Sequence, residues 1–251
     1  MSMRIGAQMY TVREACQTLE GFALSLRRIA DIGYRYVQVS GACPFEAAWL
    51  RERLKENGLE CVLTHTAKDR LVGDIENVIR DHDVFGTKYV GLGFWSFDPE
   101  SEMTFERYME LFPAVARALK NGGKYMMHHN HDGELRRVGG RTVLEKLAEA
   151  FPADELGFTL DTYWIQAGGG DSAQWLERLR GRVPCIHLKD FAYGRRMAAL
   201  GEGNINFDRV FEKAEEAGTE FMLVEQDDCG GEDPIVCLTR SFRYLKARGF
   251  E

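Results

Sequence analysis

Hydrophobic positions along the chain alternate between two periods, and the cycle repeats eight times. Each time a short apolar, β-branched run is followed by a segment with helical spacing. In the first unit the run at 4–10 precedes Phe22, Leu26 and Ile29, which recur at helical spacing, and Gly33 ends the helix. The pattern predicts strands at 4–10, 35–40, 59–65, 88–94, 124–130, 156–161, 184–190 and 220–227. It predicts helices at 18–33, 44–57, 72–85, 103–121, 141–150, 172–180, 206–217 and 234–247.

Strands that alternate with helices imply a parallel sheet. Eight such units in 251 residues fit a single (β/α)8 TIM barrel that spans 1–251. The alternative in the α/β class is an open doubly wound sheet. That fold binds its nucleotide at a glycine-rich first turn, and "QMYTVREACQ" has no G-x-G-x-x-G. The barrel is therefore favoured, and dependence on NAD is not expected.

Charge and composition narrow the set of partners. The net charge is −7 and the sequence pI about 5.5, so neither nucleic acid nor an anionic membrane surface is an expected partner. No apolar run approaches the ~18 residues of a membrane span. The first residues show no leader pattern and the six cysteines are scattered, so we expect a cytoplasmic protein with free thiols. The sequence leaves the oligomeric state open, a homo-oligomer included.

Candidate chemistry lies at the ends of the later strands, where barrels carry their active sites. Strand six ends in Asp161, strand seven carries His187 with Lys189 two residues on, and strand eight ends in Glu225. Glu134 follows strand five. One histidine with three carboxylates suits a divalent cation such as Mn²⁺, Mg²⁺, Co²⁺ or Zn²⁺.

Each of these residues also has a purely structural interpretation. Asp161 fits a helix N-cap, His187 a satisfied core histidine, and Glu225 an exposed strand end. Alternation puts Lys189 on the same face as His187, and two such groups inside a barrel are costly without an anion, metal or substrate. The combination therefore favours a functional site.

The stretch "YMMHHNHDGEL" at 125–135 places three histidines within four positions. Because side chains alternate along a strand, His128 and His129 must point in opposite directions, which argues against a three-histidine clamp. We expect His128 to pack against a helix. His129 and His131 share a face and are expected to line the pocket.

The motifs "HHNHDGE", "LGFTLDTYWIQAGG", "IHLKDF", "LGEGNINF" and "MLVEQDD" resemble the sugar phosphate isomerase/epimerase family. This is a group of xylose isomerase-like TIM barrels that includes D-tagatose 3-epimerase and inosose dehydratase. The resemblance implies one divalent metal, most often Mn²⁺, at the barrel mouth. It implies Asp161, His187 and Glu225 as ligands, with either Glu134 or a strand-five histidine as the fourth.

The same resemblance implies a metal-dependent sugar isomerase or epimerase that acts on a keto-sugar or polyol through an enediolate. In this hypothesis Glu134 and Glu225 remove and return the proton, and Lys189 stabilises developing charge. The expected substrate contacts are His65, His129, His131, Trp164 and Glu202.

Two alternatives stay open. Expulsion of a hydroxyl or glycosyl group from the same enediolate would make the protein a keto-sugar or inosose dehydratase, hydratase or lyase. A sugar-binding barrel without catalysis is the second alternative. An endonuclease is disfavoured because the chain is acidic and shows one metal site rather than several histidine ligands.

Overall fold

The computed structural model describes residues 3–250 and forms a closed barrel of eight parallel strands, as predicted. The strands are β1 Arg4–Gln8, β2 Tyr36–Val39, β3 Glu60–His65, β4 Tyr89–Leu92, β5 Tyr125–His129, β6 Leu156–Asp161, β7 Cys185–Leu188 and β8 Phe221–Val224. Each strand pairs with the next along the chain, and β8 pairs with β1 to close the barrel. The (β/α)8 fold class is therefore confirmed, whereas the assignment of 1–251 to one domain stays a prediction.

Ten helices surround the barrel within residues 3–250. They are α1 Leu19–Ile32, α2 Ala47–Asn57, α3 Lys68–Gly73, α4 Ile75–Val84, α5 Phe105–Asn121, α6 Val143–Ala150, α7 Thr162–Ala167, α8 Ser172–Arg178, α9 Phe207–Ala217 and α10 Pro234–Lys246. Helix α1 begins where the Thr18 hydroxyl accepts from the Gly21 N–H, and it ends at Gly33, whose φ of 119° is left-handed.

The loops contain short elements that the hydrophobic pattern does not predict. After β1 the chain enters a 3₁₀ segment at Met9–Gln17. Helices α3 and α7 follow β3 and β6, and a hairpin of Asp190–Ala192 with Arg196–Ala198 follows β7. These segments are too short to show a period, and all of them follow the carboxyl ends of strands.

Two apolar layers hold the barrel together. The larger lies between strands and helices and includes Phe22, Leu26 and Ile29, which are fully buried on the predicted face of α1. The smaller fills the barrel interior with Leu63, Tyr89, Met127, Cys185, Phe221 and Leu223. The interior is thus apolar toward the amino ends of the strands, and the next inward positions toward the carboxyl ends are polar.

No helix in the described part of the chain combines the length and apolar character required to cross a membrane.

Candidate metal centre

Four side chains from consecutive strands converge at the carboxyl end of the barrel: His129, Asp161, His187 and Glu225. One ligand-capable atom of each lies within 4.8 Å of the corresponding atom of every other. All four residues are buried. We call this group the mouth cluster.

Strand alternation and register explain the convergence. Met127 and Cys185 point into the barrel, so His129 and His187, two residues further along, point inward as well. Asp161 is the direct register partner of His187. Glu225 follows Val224, whose partner on β7 is Leu188, and so reaches the same level from β8. His187 and Lys189 both point into the barrel and so share a face, as alternation predicts.

The two histidines of the mouth cluster face each other through ring nitrogens, since His187 Nδ1 lies 3.1 Å from His129 Nε2. Their outer nitrogens both meet carbonyl oxygens. His187 Nε2 is 2.6 Å from the Gln38 side-chain Oε1, and His129 Nδ1 is 3.0 Å from the Gly93 backbone oxygen. A carbonyl oxygen only accepts, so each imidazole donates outward, and its inner nitrogen is the one that carries a lone pair whenever the ring is neutral. Two lone pairs this close repel each other unless a proton or a cation lies between them.

The carboxylates complete the cluster. Glu225 Oε2 lies 2.9 Å from His187 Nδ1, and Asp161 Oδ2 lies 3.3 Å from His129 Nε2. Burial disfavours the ionised carboxylates, but Lys189 and the histidines outweigh it and hold the pKa of Asp161 and Glu225 well below the usual range. Burial likewise disfavours a charged His187, yet Glu225 and Asp161 raise its pKa to about 9.

The donor set fits a divalent cation. Two imidazole nitrogens and two carboxylate oxygens are ligands that Mn²⁺, Fe²⁺, Co²⁺ and Zn²⁺ accept. Two carboxylate charges would balance the charge of one such ion. The pKa of His187 is raised for the same reason, because the cluster attracts a positive charge to its centre.

Asp161 is both the N-cap of α7 and a member of the mouth cluster. Its Oδ1 accepts from the Trp164 N–H at 3.0 Å and caps α7, while its Oδ2 faces the mouth cluster. Its backbone N–H donates to Asn130 Oδ1 at 3.0 Å. The cap orients the carboxylate toward the other three residues.

Lys189 is a buried cation next to the cluster. Its Nζ lies 2.6 Å from Asp227 Oδ2, 3.4 Å from Glu225 Oε2 and 3.5 Å from Asp161 Oδ2. Burial alone would lower the pKa of Lys189, but these three carboxylates raise it above its usual value. Lys189 also lies 5.2 Å from the centre of the Trp164 ring.

Glu134 does not lie with the mouth cluster, contrary to the expectation that it is the strand-five ligand and a proton carrier. Strand β5 ends at His129, and the following turn carries Glu134 back behind the strand. There its buried carboxylate accepts from His128 Nε2 at 2.9 Å and from the His131 backbone N–H at 3.1 Å. His128 points outward against Tyr108 of α5, as predicted. The strand-five member of the cluster is His129.

A cavity of about 560 Å³ opens directly above the mouth cluster. Its lining includes four of the expected substrate contacts, His65, His129, His131 and Trp164, together with Lys189, Glu225 and Asp227. Four lining residues hold a buried polar atom that finds no hydrogen-bond partner within residues 3–250: His65 Nε2, His131 Nδ1, Trp164 Nε1 and Asp227 Oδ1. Unpartnered buried polar atoms are costly, so this lining is suited to a ligand rich in hydroxyl or carbonyl groups.

Burial keeps two of these imidazoles neutral. It is the largest cause that lowers the pKa of His131 to about 2, with His129 adding to the effect. Burial and the neighbouring histidines also hold the pKa of His65 well below its usual value. A neutral imidazole both donates and accepts, which suits contact with sugar hydroxyls.

Glu202, also expected as a substrate contact, lies outside this cavity. Its side chain is about half exposed and pairs with Arg240 Nε at 2.8 Å. The loop that carries Glu202 is held by buried Asp190, which accepts from the backbone N–H groups of Gly201, Gly203 and Ile205. These bonds direct the loop toward α10 rather than into the cavity.

Sequence reasoning missed Gln38 and Asp227. Gln38 is a polar residue between Val37 and Val39 in a predicted strand, and that isolated polarity was the available signal. Asp227 stands in the motif "MLVEQDD", and period-two alternation from Glu225 is the signal that places it on the inward face.

The sequence of the chain matches the model of a described family. The sequence model of the family described as "Xylose isomerase-like TIM barrel" matches residues 26–246. No curated protein matches the chain.

Solved structures agree with the fold. A sugar phosphate isomerase/epimerase from Parabacteroides distasonis superposes with a TM-score of 0.82 at 22% identity, over 98% of this chain and 94% of that one. An L-ribulose 3-epimerase gives 0.78 at 17% identity, over 98% and 94% of the two chains. A probable 3-DHS dehydratase from Bacillus anthracis gives 0.72 at 15% identity, over 97% and 99%. At these identities the likeness shows the fold alone.

Proposed function

The chain belongs to the xylose isomerase-like TIM barrel family, and on that premise we propose that it is a sugar isomerase or epimerase that depends on a divalent metal ion. The mouth cluster would bind one ion, with Mn²⁺ the expected metal and Mg²⁺, Co²⁺ or Zn²⁺ as alternatives. The substrate would be a small keto-sugar or polyol in the cavity above the cluster.

One observation carries this proposal: the inner nitrogens of His129 and His187 lie 3.1 Å apart while both outer nitrogens donate to carbonyl oxygens. Once the proton on His187 Nδ1 is displaced, both inner nitrogens would offer lone pairs to one point beside two buried carboxylates, which is an arrangement that a divalent cation accepts. A divalent cation bound there would supply Lewis-acid chemistry to a carbonyl oxygen of the substrate.

The remaining roles follow from position. Glu225 is the ionised carboxylate of the cluster that also lines the cavity, so it would take the proton from the carbon next to the substrate carbonyl. Lys189 would donate a hydrogen bond to the oxygen that gains negative charge. His65, His131 and Trp164 would orient the substrate hydroxyls through their unpartnered ring nitrogens.

A dehydratase or lyase is the second candidate, favoured by the position of Glu134. With Glu134 bonded to His128 behind β5, no other glutamate among residues 3–250 lines the cavity opposite Glu225. Removal of one proton followed by loss of a neighbouring hydroxyl or glycosyl group needs only one carboxylate base, which Glu225 would supply. The names of the similar structures include both an epimerase and a dehydratase.

Incubation of Mn²⁺-loaded protein with a panel of keto-sugars in D₂O tests the proposal. Deuterium exchange at the carbon next to the carbonyl, with an isomer or epimer formed, supports the first candidate. A dehydrated product or a released aglycone without an epimer supports the second. Absence of exchange and product from every sugar that binds would leave the non-catalytic sugar-binding barrel, and loss of exchange in His187→Ala would link the activity to the cluster.

A further inference from the structure

Gln38 is a buried amide on the far side of the barrel from β7, and its only hydrogen-bond partner among the described residues is a candidate metal ligand. It is fully buried, and it points into the barrel because Val37 and Val39 belong to the outer apolar layer. The pairing of β2 with β3 shifts beside it, since Val37 pairs with Cys61 but Gln38 pairs with Leu63. Its Oε1 lies 2.6 Å from His187 Nε2.

This contact decides which nitrogen of His187 can face the cluster. The amide oxygen accepts, so a neutral imidazole, the form that binds a metal, must carry its proton on Nε2 and is left with a lone pair on Nδ1. Nδ1 lies 2.9 Å from Glu225 Oε2 and 3.1 Å from His129 Nε2, inside the cluster. The amide NH₂ turned to His187 would force the proton onto Nδ1, which would then offer no lone pair to a metal.

We propose that Gln38 is a positioning residue that fixes the tautomer and the ring orientation of His187 and thereby sets the affinity of the mouth cluster for a divalent cation. This inference rests on the proposed function, because it assumes that the cluster binds a metal. His129 has the equivalent outer partner in the Gly93 backbone oxygen, which substitution of a side chain does not remove. Gln38 is therefore the outer partner that a point variant can test.

The chain offers a matched control in Gln8. Gln8 is the register partner of Gln38 on β1 and is equally buried. Its Oε1 accepts from the Tyr10 N–H at 3.1 Å, and in the described part of the chain its side chain forms no hydrogen bond to the mouth cluster. Gln8→Met and Gln38→Met thus remove the same amide from neighbouring buried positions, but only the second removes the acceptor from His187.

The experiment measures Mn²⁺ affinity of metal-stripped protein by calorimetric titration. Loss of an outer partner of a ligating histidine typically weakens metal binding by about 10–100-fold. We expect that loss in Gln38→Met, recovery in Gln38→Glu, which keeps an acceptor, and wild-type affinity in Gln8→Met. Gln38→Asn, whose shorter amide cannot keep the bond, should match Gln38→Met and serves if the methionine variant fails to fold.

Wild-type affinity in folded Gln38→Met or Gln38→Asn, or an equal loss in Gln8→Met, would overturn the positioning role while the metal site stands. No binding of Mn²⁺, Co²⁺ or Zn²⁺ by wild-type protein would instead overturn the proposed function.

Discussion

His82 should make the protein sensitive to mild acid. It is almost fully buried, its Nδ1–H donates to the Val78 oxygen at 2.6 Å, and its Nε2 accepts from the Thr64 hydroxyl at 2.8 Å. Both ring nitrogens are thus satisfied in the neutral form. Burial is the main cause that lowers the pKa of His82 to about 4, with Lys124 adding to the effect.

The size of the effect follows from the difference between folded and unfolded chains. An unfolded chain takes up a proton at His82 near pH 6.5, whereas the folded protein resists it until about pH 4. The contribution of His82 to the free energy of unfolding therefore falls as the pH drops through this window and stays constant below it. A separation of about 2.5 pKa units corresponds to about 3 kcal/mol at most.

Urea unfolding of wild type and His82→Gln measures the contribution of His82 to the free energy of unfolding. The variant keeps an amide donor and acceptor but lacks the titrating group, and the other histidines contribute equally to both proteins. We expect the stability of wild type relative to the variant to fall by about 2 kcal/mol between about pH 7 and about pH 4.5. A difference that stays constant with pH, or that grows toward acid, would refute the assignment of His82 as a buried neutral histidine.

Three further outcomes follow from the site. Glu134→Gln should lower the free energy of unfolding in urea by about 1–3 kcal/mol but leave the Mn²⁺ content unchanged, because Glu134 holds the turn after β5. Loss of metal from this variant would contradict the position of Glu134 behind β5. Lys189→Met in metal-free protein should lower the free energy of unfolding by about 3–5 kcal/mol, since it leaves buried carboxylates without their cation. An unchanged melting temperature would count against the pairing of Lys189 with these carboxylates. A phosphorylated keto-sugar should bind no more tightly than the free sugar in calorimetry. Lys189 is already paired with carboxylates, and Nζ of Lys68, the other lysine of the cavity lining, lies 3.4 Å from Asp69 Oδ1. Much tighter binding of the phosphorylated sugar would reveal an anion site in the cavity.

The fold could be predicted because each barrel unit repeats one local signal. An apolar run of strand length followed by a helical period and a glycine cap identifies a unit without reference to any other, as α1 with Gly33 shows. Helix α7 escaped prediction because its six residues show no period, although its cap, Asp161, was recognised as a possible N-cap.

The site could be predicted in part, for a reason of geometry. Alternation along a strand fixes which residues share a face, so His187 and Lys189 can be placed together from sequence, whereas Asp161 is predicted only as the end of its strand. Glu134 lies beyond the end of β5, where alternation no longer applies and the turn decides the direction. Gln38 could not be linked to His187 because the contact crosses the barrel between strands that are not neighbours.

The functional assignments of these residues, the identity of the metal and the cytoplasmic location stay predictions. The donor set narrows the choice of metal by chemistry, since it lacks the thiolates that select a structural zinc site and has nitrogen ligands that Mg²⁺ and Ca²⁺ seldom use. Affinity measurements across Mn²⁺, Fe²⁺, Co²⁺ and Zn²⁺ would separate the remaining candidates.

Anomalous diffraction from a crystal grown with Mn²⁺ would locate a metal ion bound by the mouth cluster. We expect one peak per chain at coordination distance from His129 Nε2, Asp161 Oδ2, His187 Nδ1 and Glu225 Oε2. A peak bonded to Glu134, or no peak at the mouth cluster in protein that has bound manganese, would contradict this expectation.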